Sequence, residues 1–322
     1  MKAVVRRRYG GPEVLSLTDI PRPAPRGDQV LVRVWAASLN RSDWEGLTGK
    51  PLYARIAGVF RPRRPVLGTD VAGVVEEVGP EHTAFKPGDE VFGEIAGQGG
   101  GFAEFVCGKA TSLVRKPPGL TFEQAAALPQ AAVIALRGIR DKGEARPGTH
   151  VLVNGAGGSA GALAVQLAKA AGAEVTGVDL GAKLDFVRSL GADHVIDYTR
   201  EDFMRGGERY DLILDLVAHR SVFAYRRALR PGGRYFFVGG SAWLMLQLLV
   251  LGQLVGRRSG KRLQILIAAV RPADLERAAE MVLTGELTLH IDRTYALEQA
   301  PEALRALGAG EIRGKAVVVV AG

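Results

Sequence analysis

Residues 150–179 constrain the chain more than any other stretch: an apolar run, HVLVN, breaks into GAGGSAG and resumes as ALAVQLAKAAGAEVTGVD. The first five residues have the character of a buried strand, residues 158–171 have helical spacing, and 174–179 read as β again. Gly155, Gly157 and Ala160 satisfy G-x-G-x-x-G/A, while Gly155, Gly158 and Gly161 satisfy G-x-x-G-x-x-G. Glycine allows the sharp turn, lets backbone N–H groups approach a pyrophosphate, and lets the helix pack closely on the strand. The helix N-terminus adds partial positive charge. The candidate phosphate loop is therefore Gly155, Ala156, Gly157, Gly158, Ser159, Ala160 and Gly161. A glycine-rich turn alone is often merely structural. Here Asp179 ends the next strand 18 residues beyond Gly161, where a carboxylate can accept hydrogen bonds from adenosine ribose hydroxyls. The combination predicts a dinucleotide site.

The same aspartate bears on which dinucleotide. A carboxylate repels a 2′-phosphate, so Asp179 favours NAD(H) over NADP(H). Lys183, four residues on, has the reach for ribose hydroxyls or for a phosphate. Arg188 and Arg200 either assist NADP(H) or are ordinary surface charges.

Around this loop, strands and helices alternate from about residue 121 onward: β at 193–197, 210–217 and 234–239, and helix at 183–190 and 221–229. That alternation predicts an α/β, doubly wound parallel sheet covered on both faces. Thr121-Phe-Glu-Gln resembles a capping box at its threshold. The first third differs. Short β runs at 3–8, 29–34, 70–78, 90–94 and 102–106 are separated by PRPAPRGD, KPGD and GQGGG, which suggests a partly closed β barrel. The last run, GKAVVVVA at 314–321, has no helix after it and is expected to return to the first domain. The expected division is 1–121 with 288–322 as one discontinuous domain, and 122–287 as the dinucleotide-binding domain.

Composition narrows the function classes. One cysteine, Cys107, excludes an intrachain disulfide and multi-cysteine metal sites. The 42 glycines, without a three-residue period, mark turns rather than collagen. The net charge of +8 admits nucleic acid, an anionic membrane or an anionic cofactor. No RNA-recognition motif or aromatic-interleaved basic face accompanies it, so no nucleic-acid partner is expected. The N-terminus lacks the apolar core of a secretory leader, and Trp243–Val255 is too short to span a bilayer. A cytoplasmic protein is expected. For 243–255 and the basic RRSGKR at 257–262, membrane-surface contact is the lesser expectation, and a helix buried near a dimer interface or substrate pocket the greater.

These segments together carry a resemblance. MKAVVRRRYGGPEVLSL, VRVWAASLNRSDW, PVLGTDVAGVVEEVG, FKPGDEVFG, GFAEFV, AAALPQAAVIAL, VLVNGAGGSAG, SLGADHVIDY, YDLILDLV, LRPGG and GKAVVVV run nearly end to end. The chain resembles the medium-chain dehydrogenase/reductase superfamily, in the zinc-free quinone-oxidoreductase branch that includes zeta-crystallin. The resemblance implies a GroES-like β barrel joined to a Rossmann domain, the cofactor in the cleft between them, and a homodimer through the Rossmann sheets. It implies hydride transfer from NAD(P)H to a quinone or an α,β-unsaturated carbonyl. The alternatives are an alcohol or aldehyde reductase, or a nucleic-acid-binding crystallin-like protein with little catalysis.

Zinc members polarise the substrate carbonyl through Cys/His/Cys or Cys/His/Glu ligands. The matching regions here read Asn40-Arg-Ser-Asp43, Gly68-Thr69-Asp70 and Leu128-Pro129-Gln130. No zinc is expected, and an electron-poor acceptor suits a site without a Lewis acid. Asn40 and Asp43 match cleft-lining positions, Asn40 as a donor to the substrate carbonyl or nicotinamide ribose, although both also suit helix capping. Many relatives carry a tyrosine at the position of Glu45, and Tyr53 is the candidate substitute. By the same resemblance, Pro129 and Val133 face the nicotinamide, Lys315 approaches it, and Tyr198 either lies near the adenine or is a core tyrosine. Leu216, Val217, Val238, Gly239 and Gly240 end Rossmann strands, where doubly wound sheets bind ligands.

Overall fold

The computed structural model describes residues 1–56, 58–81, 84–95, 99–257 and 260–320, and it divides into two compact units. Met1–Gln130 with Val270–Gly322 form the first, Ala131–Ala269 the second. The second unit therefore starts after, and ends before, the span expected from sequence. The helix at 122–127 packs on first-unit strands and the helix at 272–283 on the strand at 113–115, which assigns both to the first unit.

Apolar alternation builds the first unit. Strand β1 (Lys2–Arg6) pairs antiparallel with β2 (Leu15–Asp19). The ten-residue β3 (Gln29–Ser38) is buried on both faces except near Arg33, and is the organising strand. Helix α1 (Arg41–Thr48) follows it directly. Beyond α1 come β4 (Asp70–Val78), β5 (Glu90–Glu94), β6 (Phe105–Lys109) and β7 (Leu113–Arg115). β3 pairs with β4 along one edge and with β6 over its first half on the other.

The expected strand at 102–106 is displaced. Phe102 exchanges main-chain bonds with Leu67 and Val4, so the ladder with β3 begins only near Phe105. Of the GQGGG turn, residues 97–98 lie outside the described residues. Thr121 caps α2 (Phe122–Ala127): its Oγ1 accepts from Gln124 N, and Gln124 Oε1 accepts from Thr121 N.

Helix α3 (Pro129–Ala135) leads into the second unit, a six-stranded parallel sheet. Its elements in chain order are β8 (His150–Asn154), α4 (Ser159–Ala170), β9 (Glu174–Asp179), α5 (Leu184–Ser189), β10 (His194–Asp197), β11 (Tyr210–Asp215), α6 (Val222–Ala228), β12 (Leu229–Phe237), α7 (Ala242–Arg257) and β13 (Arg262–Ile265). The spatial order β10-β9-β8-β11-β12-β13 reverses direction between β8 and β11, the switch point where such sheets bind ligands. Fully buried Leu152, Ile213 and Tyr235 represent the strands in the core beneath it.

The chain then returns. α8 (Pro272–Leu283), β14 (Ile291–Ala296), α9 (Ala300–Gly308) and β15 (Lys315–Val319) complete the first unit. β15 lies between β14 and the second half of β3, sharing with β6 the edge of β3 opposite β4. An α/β fold with a Rossmann-type parallel sheet in one unit and a mainly antiparallel sheet in the other is the result.

Candidate active site

In the second unit the strand–loop–helix geometry follows from where side chains cannot fit. Gly155 leaves β8 with φ +87°, a left-handed conformation that favours glycine. Its N–H and that of Ala156 donate to Val178 O at 2.9 and 3.1 Å, tying the loop to β9. A side chain at Gly161 would collide with the Gly155 carbonyl, so α4 packs against the turn only because that residue is glycine. Gly158 is the N-cap of α4 and brings no side chain to take up the first-turn N–H groups. A phosphate placed there meets donors and the positive end of the helix.

Asp179 closes this arrangement. It is buried at the end of β9, its Oδ2 accepts from Gly157 N at 2.7 Å, and its Oδ1 accepts from Leu180 N at 2.8 Å. Each carboxylate oxygen can accept a further bond from a ribose hydroxyl. Lys183 is also buried, with its aliphatic chain against Gly157. Tyr198 follows β10, is 45% exposed, and donates its N–H to Asp179 O at 3.3 Å. The loop, Asp179, Lys183 and Tyr198 are thus brought together, with Ala156 and Ala160 buried and Ser159 half-buried.

At the carboxyl ends of β11 and β12 the predicted 216–217 and 238–240 segments lie side by side. Ala218 bridges Gly240, and Ala218 N donates to Gly239 O. Gly240 has φ +129° and no room for a side chain beside Ala218. Leu216 and Val238 are half-buried and Val217 is exposed, while Val133 is buried on α3.

Beneath them is a polar cluster outside the sequence expectation. Asp215 accepts from Asn154 Nδ2 at 2.8 Å and from Tyr235 Oη at 3.0 Å, and burial raises its pKa. Burial, then the Asp215 charge, raises the pKa of Tyr235. The available signal was position: Asn154 and Asp215 close two apolar strands and lie opposite each other in register.

In the first unit, β3, β4, β15 and the loop before α1 bring three distant segments into contact. Lys315 is buried, and its Nζ donates to Asn40 Oδ1 at 2.6 Å, Ser38 Oγ at 2.9 Å and Leu39 O at 3.3 Å. Asp70 lies 3.6 Å from the same ammonium and accepts from Gln130 N at 3.1 Å. Burial raises the pKa of Asp70 and lowers that of Lys315, and each charge works against the other's shift.

Asn40 Nδ2 donates to Thr69 Oγ1, and Gln130 Nε2 donates to Glu94 Oε1 at 3.1 Å. Burial and then the Asp70 charge push Glu94 up to about 7. Asp43 is buried and accepts from Asn40 N and Gly68 N, both at 2.9 Å, and burial raises its pKa to about 6. Tyr53 lies in the turn at 52–55, with its Oη 3.4 Å from Glu45 Oε1. Pro129 starts α3.

The three segments that match a zinc-ligand pattern do converge, yet their donor set does not fit zinc. Asn40, Thr69, Asp70 and Gln130 are joined to one another or to Lys315, and a divalent ion among them would meet the ammonium. Among the described residues no group of three or more His, Cys, Asp or Glu is placed to hold a metal.

Comparison with known proteins agrees with this geometry. The profile described as "Alcohol dehydrogenase GroES-like domain" matches residues 26–118, and that described as "Zinc-binding dehydrogenase" matches 190–318. The chain is 30% identical over 331 residues to "Quinone-oxidoreductase QR1, chloroplastic" of Triphysaria versicolor, covering 99% of this chain and 98% of that one. It is 34% identical to "2-methylene-furan-3-one reductase" of Solanum lycopersicum, covering 77% and 68%. The solved quinone oxidoreductase of Coxiella burnetii superposes with a TM-score of 0.90 at 30% identity, over 100% of this chain and 99% of that one.

Proposed function

Because the chain belongs to the medium-chain dehydrogenase/reductase superfamily, in its zinc-free quinone-oxidoreductase branch, we propose that it reduces quinones or α,β-unsaturated carbonyls with NADH in preference to NADPH. It is an NAD(P)H-dependent oxidoreductase of the quinone/enone type. The bound nicotinamide supplies the hydride. The loop at 155–161 holds the pyrophosphate on backbone N–H groups, and Asp179 takes the adenosine ribose.

The observation that carries the NADH preference is the Asp179 carboxylate, anchored on Gly157 N–H at the end of β9. A 2′-phosphate entering there meets a fixed negative charge. On the substrate side, Asn40 is buried and held by Lys315, Thr69 and Asp70, so its amide orients an acceptor carbonyl by exchanging one of those bonds. Asp43 holds that loop through Asn40 N, Tyr53 remains a candidate acid, and water protonates the reduced acceptor.

Fluorescence titration with both cofactors tests the reading. NADH is expected to bind at least ~10-fold more tightly, and Asp179→Ser to shift the ratio toward NADPH by about tenfold, or ~1.4 kcal/mol. Tighter NADPH binding by the unaltered protein would overturn it. Steady-state oxidation of NADH with quinones, enals and aldehydes then ranks the acceptors.

A further inference from the structure

Helix α7 is apolar on two opposite faces, and only one of them is packed. Leu244, Leu248, Gly252 and Gly256, spaced by four, lie buried against β13 and its approach. Trp243, Leu246, Leu249, Val250 and Leu254 occupy the other face, and each is between 47% and 68% exposed. Single exposed apolar residues are ordinary, but a stripe of five along one helix is not. Phe223 on α6, 48% exposed, stands beside it, because Val222 N donates to Gln247 Oε1. The expected burial of this stretch therefore holds for one face only. No described helix is long and apolar enough to cross a membrane.

Charge completes the picture. From Leu216 through Ala273 the chain contains ten Lys and Arg and no Asp or Glu, against +8 for the whole protein. Arg220, Arg230 and Arg234 reach out of this segment to Asp202, Asp211 and Glu144. Arg226, Arg227 and Arg262 are exposed. Lys261 joins them at the end of α7: its N–H donates to Gly256 O, and its Nζ donates to Arg226 O at 3.0 Å. The apolar stripe thus runs from a tryptophan at one end to a basic cluster at the other. Residues 258–259 of the RRSGKR run lie outside the described residues.

We propose that this face docks on an anionic lipid bilayer, with α7 lying in the interface and the basic cluster on the headgroups. Nucleic acid would satisfy the cations and leave the leucines in water. A second copy would cover the leucines, but this segment offers no carboxylate to balance its own charge. Anionic lipid meets both requirements, with apolar side chains entering the acyl boundary and arginines meeting phosphate.

The test mixes the full chain with sedimenting vesicles of phosphatidylcholine alone, or with about 30% phosphatidylglycerol added. Binding is expected to rise at least ~10-fold with the anionic lipid and to fall as salt screens it. Leu249→Gln with Leu254→Gln should lower partitioning at least ~10-fold, and Arg226→Gln with Arg227→Gln about fivefold or more. Both double variants should keep NADH titration and thermal unfolding at the level of the unaltered protein, which separates this proposal from the cofactor site. Equal sedimentation with both vesicle types would overturn it, as would variants that bind like the parent. A halving of solution mass in the Leu249/Leu254 variant, read by light scattering, would also overturn it by identifying the face as a contact between copies.

Discussion

Two glycines three residues apart, about 4.5 Å along a helix, have opposite jobs, and substitution separates them. At Gly161 any side chain meets the Gly155 carbonyl and Ala156 Cα, so Gly161→Ala disrupts the packing of α4 on the turn. At Gly158 the nearest neighbour of an added Cβ is Gly155 O at 3.4 Å, and the backbone (φ −85°, ψ 177°) suits a β-branched residue. Gly158→Val is therefore expected to keep the fold, with a stability change under ~1 kcal/mol, yet weaken NADH at least ~10-fold by blocking backbone approach to the pyrophosphate. Thermal unfolding and fluorescence titration read the two effects. Normal cofactor affinity in the folded variant would remove the loop from the site. The loop was legible from sequence because glycine spacing is itself the geometry. That Asp179 would bond Gly157 N–H was not, since it depends on β8 and β9 pairing in one register.

At the level of elements, the first-unit cluster is a product of strand register. β4 sets Asp70 opposite Ser38 on one side and Glu94 on the other, which places two carboxylates directly across from each other. β15 then delivers Lys315 to Ser38 and Asn40, separated from it by 277 and 275 residues. Asn40 and Lys315 could be found through a resemblance, and Asp43 and its helix through capping chemistry. Glu94 gave no such signal, because an acid at a strand end reads as a solvated turn residue until its partner strand is known.

Lys315→Met should leave Asp70 buried beside Glu94 without its counter-charge and cost about 3 kcal/mol in chemical denaturation. Adding Asp70→Asn should restore most of that loss, and a double-variant cycle measures the coupling. If the two losses simply add, the pair is not the anchor of this cluster.

Over the whole molecule, buried acids set the direction of the pH response. Asp43 is raised to about 6 and Glu94 to about 7, both chiefly by burial, whereas unfolded carboxylates titrate near ~4. Between those values the native state binds more protons than the unfolded chain. The stability these groups contribute is therefore complete below about pH 4 and is lost as pH rises through 6 and 7. Asp193, Asp197 and Glu144 are lowered instead, so their contribution disappears only under more acidic conditions. Burial raises Asp70 and Asp215 in the same sense as Asp43 and Glu94, so the interval from about pH 5 to 8 belongs to the raised carboxyls, and urea unfolding should show stability falling across it by on the order of 2–4 kcal/mol.

Glu94→Gln keeps a carbonyl oxygen for Gln130 Nε2 while removing the charge beside Asp70. It should match the unaltered protein at pH 5 and exceed it by about 1–2 kcal/mol at pH 8. Asp43→Asn behaves differently, because one amide oxygen cannot serve both Asn40 N and Gly68 N. That variant should lose about 1–2 kcal/mol at either pH. A stability that climbs from pH 5 to 8, or a Glu94→Gln variant with an unchanged slope, would show that these carboxyls ionise as freely in the folded protein as in the unfolded chain.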